Sequence, residues 1–369
     1  MRRIAYFYSP DSGSFHYGAS HPMKPHRIAV TNSIVFAYGL QKYMDIFAIK
    51  PATKMEMQQY HTEEYISSLI SEGSDVPCDR ITDDCPYFEG IGEMCALYSG
   101  GSLQAARVLN QSQYDIAINW SGGLHHAKKA GPSGFCYTND IVLAIQELLK
   151  KHRKVMYIDI DIHHGDGVEE AFYHTDRVLT LSFHKYGDRF FPGTGNICCT
   201  GRGAGRGCAV NVPLDFGIDD ESYHYVFKNV VKMCIESFGP EAILMQCGSD
   251  SLAADRIGCF GLSIKGHSEC VRYVRDFNIP MLVVGGGGYK PKHVSRCWAS
   301  ETAILCGVEV DNKIPPNPHS EYLGEDAELY INLECEYVNK NSKDNLERII
   351  SLVKEVLSEQ EEASEGKKA

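Results

Sequence analysis

An α/β fold with a largely parallel sheet covered on both faces is predicted by two observations. Short β-branched runs recur at 115–120, 155–162, 178–183, 242–246 and 281–284, each reading as a buried strand. Helical patterns at 138–151, 220–238 and 264–277 alternate with them, as parallel strands joined by crossovers require. A third observation locates the chemistry: the polar clusters follow the strands, where ligands bind in open parallel sheets.

The opening residues, Met1-Arg-Arg-Ile-Ala-Tyr-Phe-Tyr-Ser9, carry no long apolar run or small-residue cleavage site and read as a first strand. No stretch is apolar for the ~18 residues that a membrane span needs. With 369 residues, 43% hydrophobic and 23% charged, the chain has material for one large core. No repeat or linker divides it, so a single domain is expected over 1–357, with a core at 4–310 and a packed segment at 311–357 holding a strand-like 328–333 and a helical 345–357. The charged 358–369 reads as a frayed tail.

Fourteen cysteines are scattered, two of them adjacent at Cys198 and Cys199, which suits reduced thiols better than a disulfide framework. No zinc-finger spacing occurs, so any metal must be held by other residues. The net charge of -12 argues against general nucleic-acid binding and suits basic partners.

The run 155–162 leads into His163-His164-Gly-Asp166. Its alternation puts Met156, Ile158, Ile160 and Ile162 on one side and Asp159, Asp161 and His163 on the other. Two acids on a buried strand cost several kcal/mol unless compensated, and no Lys or Arg lies within the strand, so a divalent cation is the economical reading over an internal ion-pair network. Asp161 and His163 supply two ligands. Asp250, in Gly-Ser-Asp250-Ser after the run 242–246, supplies a third. Three ligands leave the open position of a catalytic metal, zinc first, although the set also suits iron or cobalt.

The run 115–120 leads into Ser121-Gly-Gly-Leu-His125-His126, an imidazole pair suited to general acid/base work, with Asp159 and Asp166 as orienting acids. The run 281–284 leads into four glycines and Tyr289, a backbone able to deliver a phenol that polarises a carbonyl. These glycines lack the spacing of a nucleotide loop. Standing alone, Gly134-Phe135 and Phe191-Pro-Gly193 suit ordinary core packing first and the walls of a narrow apolar tunnel second, and Asp83-Asp84 either a solvated turn or a rim that binds a peptide backbone.

Taken together, Gly-Gly-Leu-His-His-Ala-Lys-Lys, Gly-Phe-Cys-Tyr, Tyr-Ile-Asp-Ile-Asp-Ile-His-His-Gly-Asp-Gly-Val, Phe-Pro-Gly-Thr-Gly, Gln-Cys-Gly-Ser-Asp-Ser-Leu and Gly-Gly-Gly-Gly-Tyr resemble class I histone deacetylases over 4–357. The resemblance implies the arginase/deacetylase fold and zinc-dependent hydrolysis of acetyl-lysine on histone tails. By resemblance Asp161, His163 and Asp250 hold zinc, His125 and His126 transfer protons backed by Asp159 and Asp166, and Tyr289 stabilises the oxyanion. Gly134, Phe135 and Phe191 form the tunnel and Asp84 the rim. Potassium is implied at Asp159, Asp161, His163, Ser182 and Phe183, and again at Phe172, Thr175 and Val178. Corepressor subunits, nuclear residence and an inositol phosphate on Lys24, Arg256 and Lys292 are also implied.

Some positions depart from the family. Lys292 stands where Arg is usual and Ser20 where Gly or Ala is common, which weakens the inositol phosphate reading. The segment 187–191 is one residue longer than in many class I members, and Asn196-Ile-Cys-Cys-Thr-Gly replaces a charged sequence. An acetylpolyamine amidohydrolase shares the zinc site, but the C-terminal segments disfavour it. A silent scaffold would be expected to lose a ligand or Tyr289, and an arginase-like binuclear hydrolase would need more carboxylates.

Overall fold

The computed structural model describes residues 2–70, 82–324 and 327–365. Eight strands form one sheet: β1 Ile4–Tyr8, β2 Asp45–Ala48, β3 Ile116–Asn119, β4 Val155–Asp159, β5 Val178–Lys185, β6 Ala209–Leu214, β7 Ala242–Gln246 and β8 Met281–Val284. Their order is β2-β1-β3-β8-β7-β4-β5-β6 and every pairing is parallel. The helices are α1 His26–Ala37, α2 Lys54–Met57, α3 Glu63–Ile70, α4 Ile91–Asn110, α5 Asp140–Leu148, α6 Asp166–Phe172, α7 Asp220–Phe238, α8 Ile264–Arg275, α9 Pro291–Cys306, α10 Ser320–Leu323 and α11 Lys343–Glu365.

The alternation read from the sequence is realised as two cores, one on each face. Met156, Ile158, Ile160 and Ile162 pack with residues of α1, α7, α8, α9 and α11. Val155 and Tyr157 pack on the other face with α4 and α5. Helix ends follow local chemistry: Asp219 caps α7 through Ser222 N, and Gly239 closes it in the left-handed region that glycine adopts without strain.

Two C-terminal expectations need correction. The segment 328–333 is not a strand; its only pairing among the described residues is a bridge from Lys313 to Glu328, because it crosses the helical layer, where Leu329 is buried, and meets no sheet edge. The tail does not fray at 358: α11 runs to Glu365, and Glu359 accepts hydrogen bonds from the Arg206 guanidinium at 3.1 and 3.3 Å. Residues 366–369 lie outside the described residues.

Sheet order decides where the site forms. β3, β8, β7 and β4 are consecutive in the sheet, so the polar segments that follow all four emerge side by side at its centre.

Candidate metal centre and active site

At the end of β4 the chain turns, and side-chain carboxylates take over the backbone amides that the ladder no longer pairs. Asp159 Oδ1 accepts from Asp161 N at 3.0 Å and Asp161 Oδ1 from His163 N at 3.0 Å. Asp250 Oδ1, from the loop after β7, accepts from Ile162 N at 3.0 Å and so ties the two strand ends together. His163 Nδ1 then lies 3.1 Å from both Asp161 Oδ1 and Asp250 Oδ2. All three side chains are buried, and one donor atom from each falls within 4.8 Å of the others.

The loops reach this close because they are glycine. A Cβ on Gly248 would lie 2.0 Å from Asp161 Oδ2, and one on Gly287 2.0 Å from Asp250 Oδ2. Gly286 and Gly288 adopt φ of 144° and 122°, and Gly287 N donates to Asp161 Oδ2 at 2.8 Å. Charge in the cluster is unbalanced. Burial and the Asp161 carboxylate push Asp250 up. Burial would lower His163, but its bonds to Asp161 and Asp250 raise it to about 10. Burial also opposes ionised Asp161, yet the nearby imidazoles and its donors hold it well below the usual carboxylate range. The donor set therefore fits a divalent cation, which would offset the excess negative charge directly and would be held by these three side chains.

Around it stand two buried imidazole–carboxylate pairs. His125 Nδ1 donates to Asp159 Oδ2 at 2.7 Å, and His126 Nδ1 to Asp166 Oδ1 at 2.7 Å. Their environments push them apart. Burial opposes charge on both rings, but Asp159 and Asp161 raise His125 to about 9, whereas His126 falls to about 3 under burial and the neighbouring His125 charge. Asp166, though buried, is held low by His126 and by Lys128, whose Nζ is 2.6 Å from Oδ2. Tyr289 is buried, and burial followed by the Asp250 and Asp161 carboxylates keeps its phenol protonated, hence a donor.

A cavity of about 150 Å3 leads to this centre. Gly134, Phe135, Phe191 and Asp84 line it together with His126, His163, Tyr289 and Ile257. Asp83 is exposed and not part of the lining. The ring of Phe191 stands edge-on to His126 at 5.0 Å, and Phe135 edge-on to Tyr289 at 5.6 Å.

Several supporting residues were missed. Tyr157 donates to Asp159 Oδ2 at 2.5 Å, a contact its two-residue spacing signals. Phe190, next to the recognised Phe191, stacks on His163 at 5.1 Å. Gln246 donates to Asp161 Oδ2 at 2.9 Å, and Asp140 accepts from Gly123 N and Leu124 N, shaping the His125 loop from far along the chain. A second metal-capable set, His267, Cys297 and Glu301, closes on itself: His267 Nδ1 is 2.5 Å from Glu301 Oε1 and Nε2 is 2.9 Å from the Gly248 carbonyl, so it braces the loop that carries Asp250.

Comparison with known proteins agrees with this geometry. The family model described as Histone deacetylase domain matches residues 21–305. The chain belongs to the histone deacetylase family. It is 52% identical over 359 residues to Histone deacetylase 19 of Arabidopsis thaliana, covering 94% of this chain and 71% of that protein. Similarity to Histone deacetylase 1 of Homo sapiens is 52% over 356 residues (94% and 73%), and to Histone deacetylase B of Dictyostelium discoideum 51% over 357 residues (94% and 85%). The all-parallel eight-stranded sheet accords with the arginase/deacetylase fold. As a histone deacetylase the chain is a hydrolase that deacetylates lysine and acts in chromatin and transcription regulation.

Proposed function

We propose that Asp161, His163 and Asp250 hold one zinc ion at the base of the cavity and that acetylated lysines of histone tails are threaded to it between Phe135 and Phe191. The observation that carries this reading is the buried two-carboxylate, one-imidazole set beside two imidazole–carboxylate pairs. Zinc bound there supplies Lewis acidity toward water and the amide carbonyl.

The chain's own groups do the rest. Phe135 and Phe191 pack on the methylene chain and exclude water from the amide. His126, kept neutral, accepts a proton from the attacking water through its outward Nε2, while Asp166 fixes Nδ1–H. His125, held by Asp159, completes with His126 the proton-transfer pair that returns a proton to the departing lysine amine. The protonated Tyr289 donates to the oxygen on which negative charge develops. Asp84, exposed at the rim, suits the peptide backbone of a basic tail.

Potassium near the zinc is supported by register: Asp159 lies opposite Ser182 across β4 and β5, beside Asp161, His163 and Phe183. For Phe172, Thr175 and Val178 the support is that they bracket one turn, where Thr175 N donates to Phe172 O. The inositol phosphate reading of Lys24, Arg256 and Lys292 rests on resemblance alone. Lys24 Nζ donates to the carbonyls of Gly18 and Ala19, Lys292 lies over the Tyr322 ring, and Arg256 borders a separate cavity. Corepressor subunits as partners and nuclear residence are proposed on the same ground; among the described residues no helix is long and apolar enough to cross a membrane.

The test is acetate release from an acetylated histone-tail peptide by wild type and Tyr289→Phe. Loss of one oxyanion donor should lower kcat by about 10²–10³-fold; equal rates would remove Tyr289 from the mechanism, and no release by wild type would overturn the substrate.

A further inference from the structure

Between β5 and the tunnel wall the backbone makes a turn that L residues rarely adopt. Gly187, Asp188 and Arg189 follow one another with φ of 90°, 53° and 60°, and only the first is glycine. Such a turn persists only where its surroundings over-determine it. Its result is the aromatic wall: Phe190 stacks on His163 at 5.1 Å and Phe191 meets His126 at 5.0 Å.

The constraint comes from Lys185, the last residue of β5. Its ammonium is buried, with side-chain exposure of 1%, and so needs partners. It donates to Asp188 Oδ2 at 2.8 Å and to the Tyr186 carbonyl at 2.7 Å, lies 3.3 Å from Asp215 Oδ1, and sits 4.4 Å from the centre of the Phe216 ring. Asp215 is itself fixed: its N–H donates to Asn341 Oδ1 at 2.7 Å, and Asn341 Nδ2 donates back to its carbonyl at 2.8 Å. The cation is therefore held in place from the sheet side, and Asp188 pins the turn to it.

We propose that the Lys185–Asp188 pair is a latch that sets the width of the acyl-lysine tunnel by holding Phe190 and Phe191 against His163 and His126, and so favours short acyl groups over longer ones. The inference rests on the deacylase reading of the same site. Lys185 and Asp188 are positioning residues; neither lines the cavity. Released from Lys185, the turn relaxes toward ordinary φ values and carries both rings away from His163 and His126, which border the reacting amide, making room there for added acyl methylenes while loosening Phe191 from the lysine chain.

Asp188→Asn is the informative variant, because Asn tolerates left-handed φ while losing the charge. Asp215 still balances Lys185 in that variant, so the fold is retained. With acetyl- and butyryl-lysine peptides, the butyryl-to-acetyl ratio of kcat/KM should rise about tenfold, with KM for the acetyl peptide up about threefold and kcat within about twofold. Hydrogen exchange of the Phe190 amide, which donates to Gly187 O at 2.9 Å, should accelerate about tenfold. Asp215→Asn removes a charge beside the same ammonium but not on the turn, and should shift all of these less, because the Tyr186 carbonyl and Asp188 still hold the ammonium. Unchanged selectivity and exchange in Asp188→Asn, or equal shifts in Asp215→Asn, would overturn the latch. A wild type inert toward every acyl-lysine peptide would instead overturn the deacylase reading, and Phe190 exchange would then decide the latch alone.

Discussion

His125 Nδ1 and Asp159 Oδ2 lie 2.7 Å apart with both side chains buried, and Tyr157 donates to the same carboxylate oxygen. The carboxylate is thus oriented from one side and orients the imidazole on the other.

Replacing it should expose that role. Asp159→Asn keeps the shape but removes the charge that sustains protonated His125, and activity should fall about 10–100-fold with zinc content retained. Steady-state kinetics alongside metal analysis read this directly; loss of zinc in parallel would make Asp159 a determinant of metal binding instead.

Close approach of glycine predicts a second effect. Gly248→Ala places a methyl carbon 2.0 Å from Asp161 Oδ2, which forces the loop to shift and should cost about 1–3 kcal/mol of stability together with weakened zinc binding. Denaturant unfolding and competition with a chromogenic chelator measure both, and unchanged zinc affinity would show that the loop has slack.

Much of this site was legible in the sequence because strand alternation and strand ends are local signals. Asp159, Asp161 and His163 share a face by spacing alone, and the segments after β3, β7 and β8 could be assigned to the sheet's carboxyl edge without knowing strand order. What escaped were long-range partners. Asp140 grips Gly123 and Leu124 from the first turn of α5, and Gln246 crosses from β7 to Asp161, contacts that no short window encodes. β2 and β6 were missed because one is a short, largely exposed edge strand and the other carries Asn211 and Pro213. The segment 328–333 has strand-like composition but no edge to join.

Acid should destabilise the chain in a window set by His61. Its ring accepts from Asn139 N at 2.9 Å through Nε2 and donates through Nδ1 to the Lys128 carbonyl at 3.0 Å, so the fold requires neutral imidazole. Burial lowers its pKa from 6.5 to about 4. The unfolded chain then binds the proton first: this contribution is complete above pH 6.5 and is lost as pH falls toward 4, on the order of 3 kcal/mol by the 1.36 kcal/mol per pH unit relation. Urea midpoints between those values should decline less in His61→Gln, referred to its own stability at neutral pH; equal slopes would remove His61 from the acid response.

Zinc titration of the chelator-treated chain, followed by acetate release from an acetyl-lysine peptide, tests most directly whether Asp161, His163 and Asp250 form the catalytic metal centre. Activity should rise from baseline and saturate at one zinc per chain, and Asp250→Asn should require far more zinc or remain inactive. Full activity without zinc, or a titration in Asp250→Asn that overlays the wild type, would contradict the assignment.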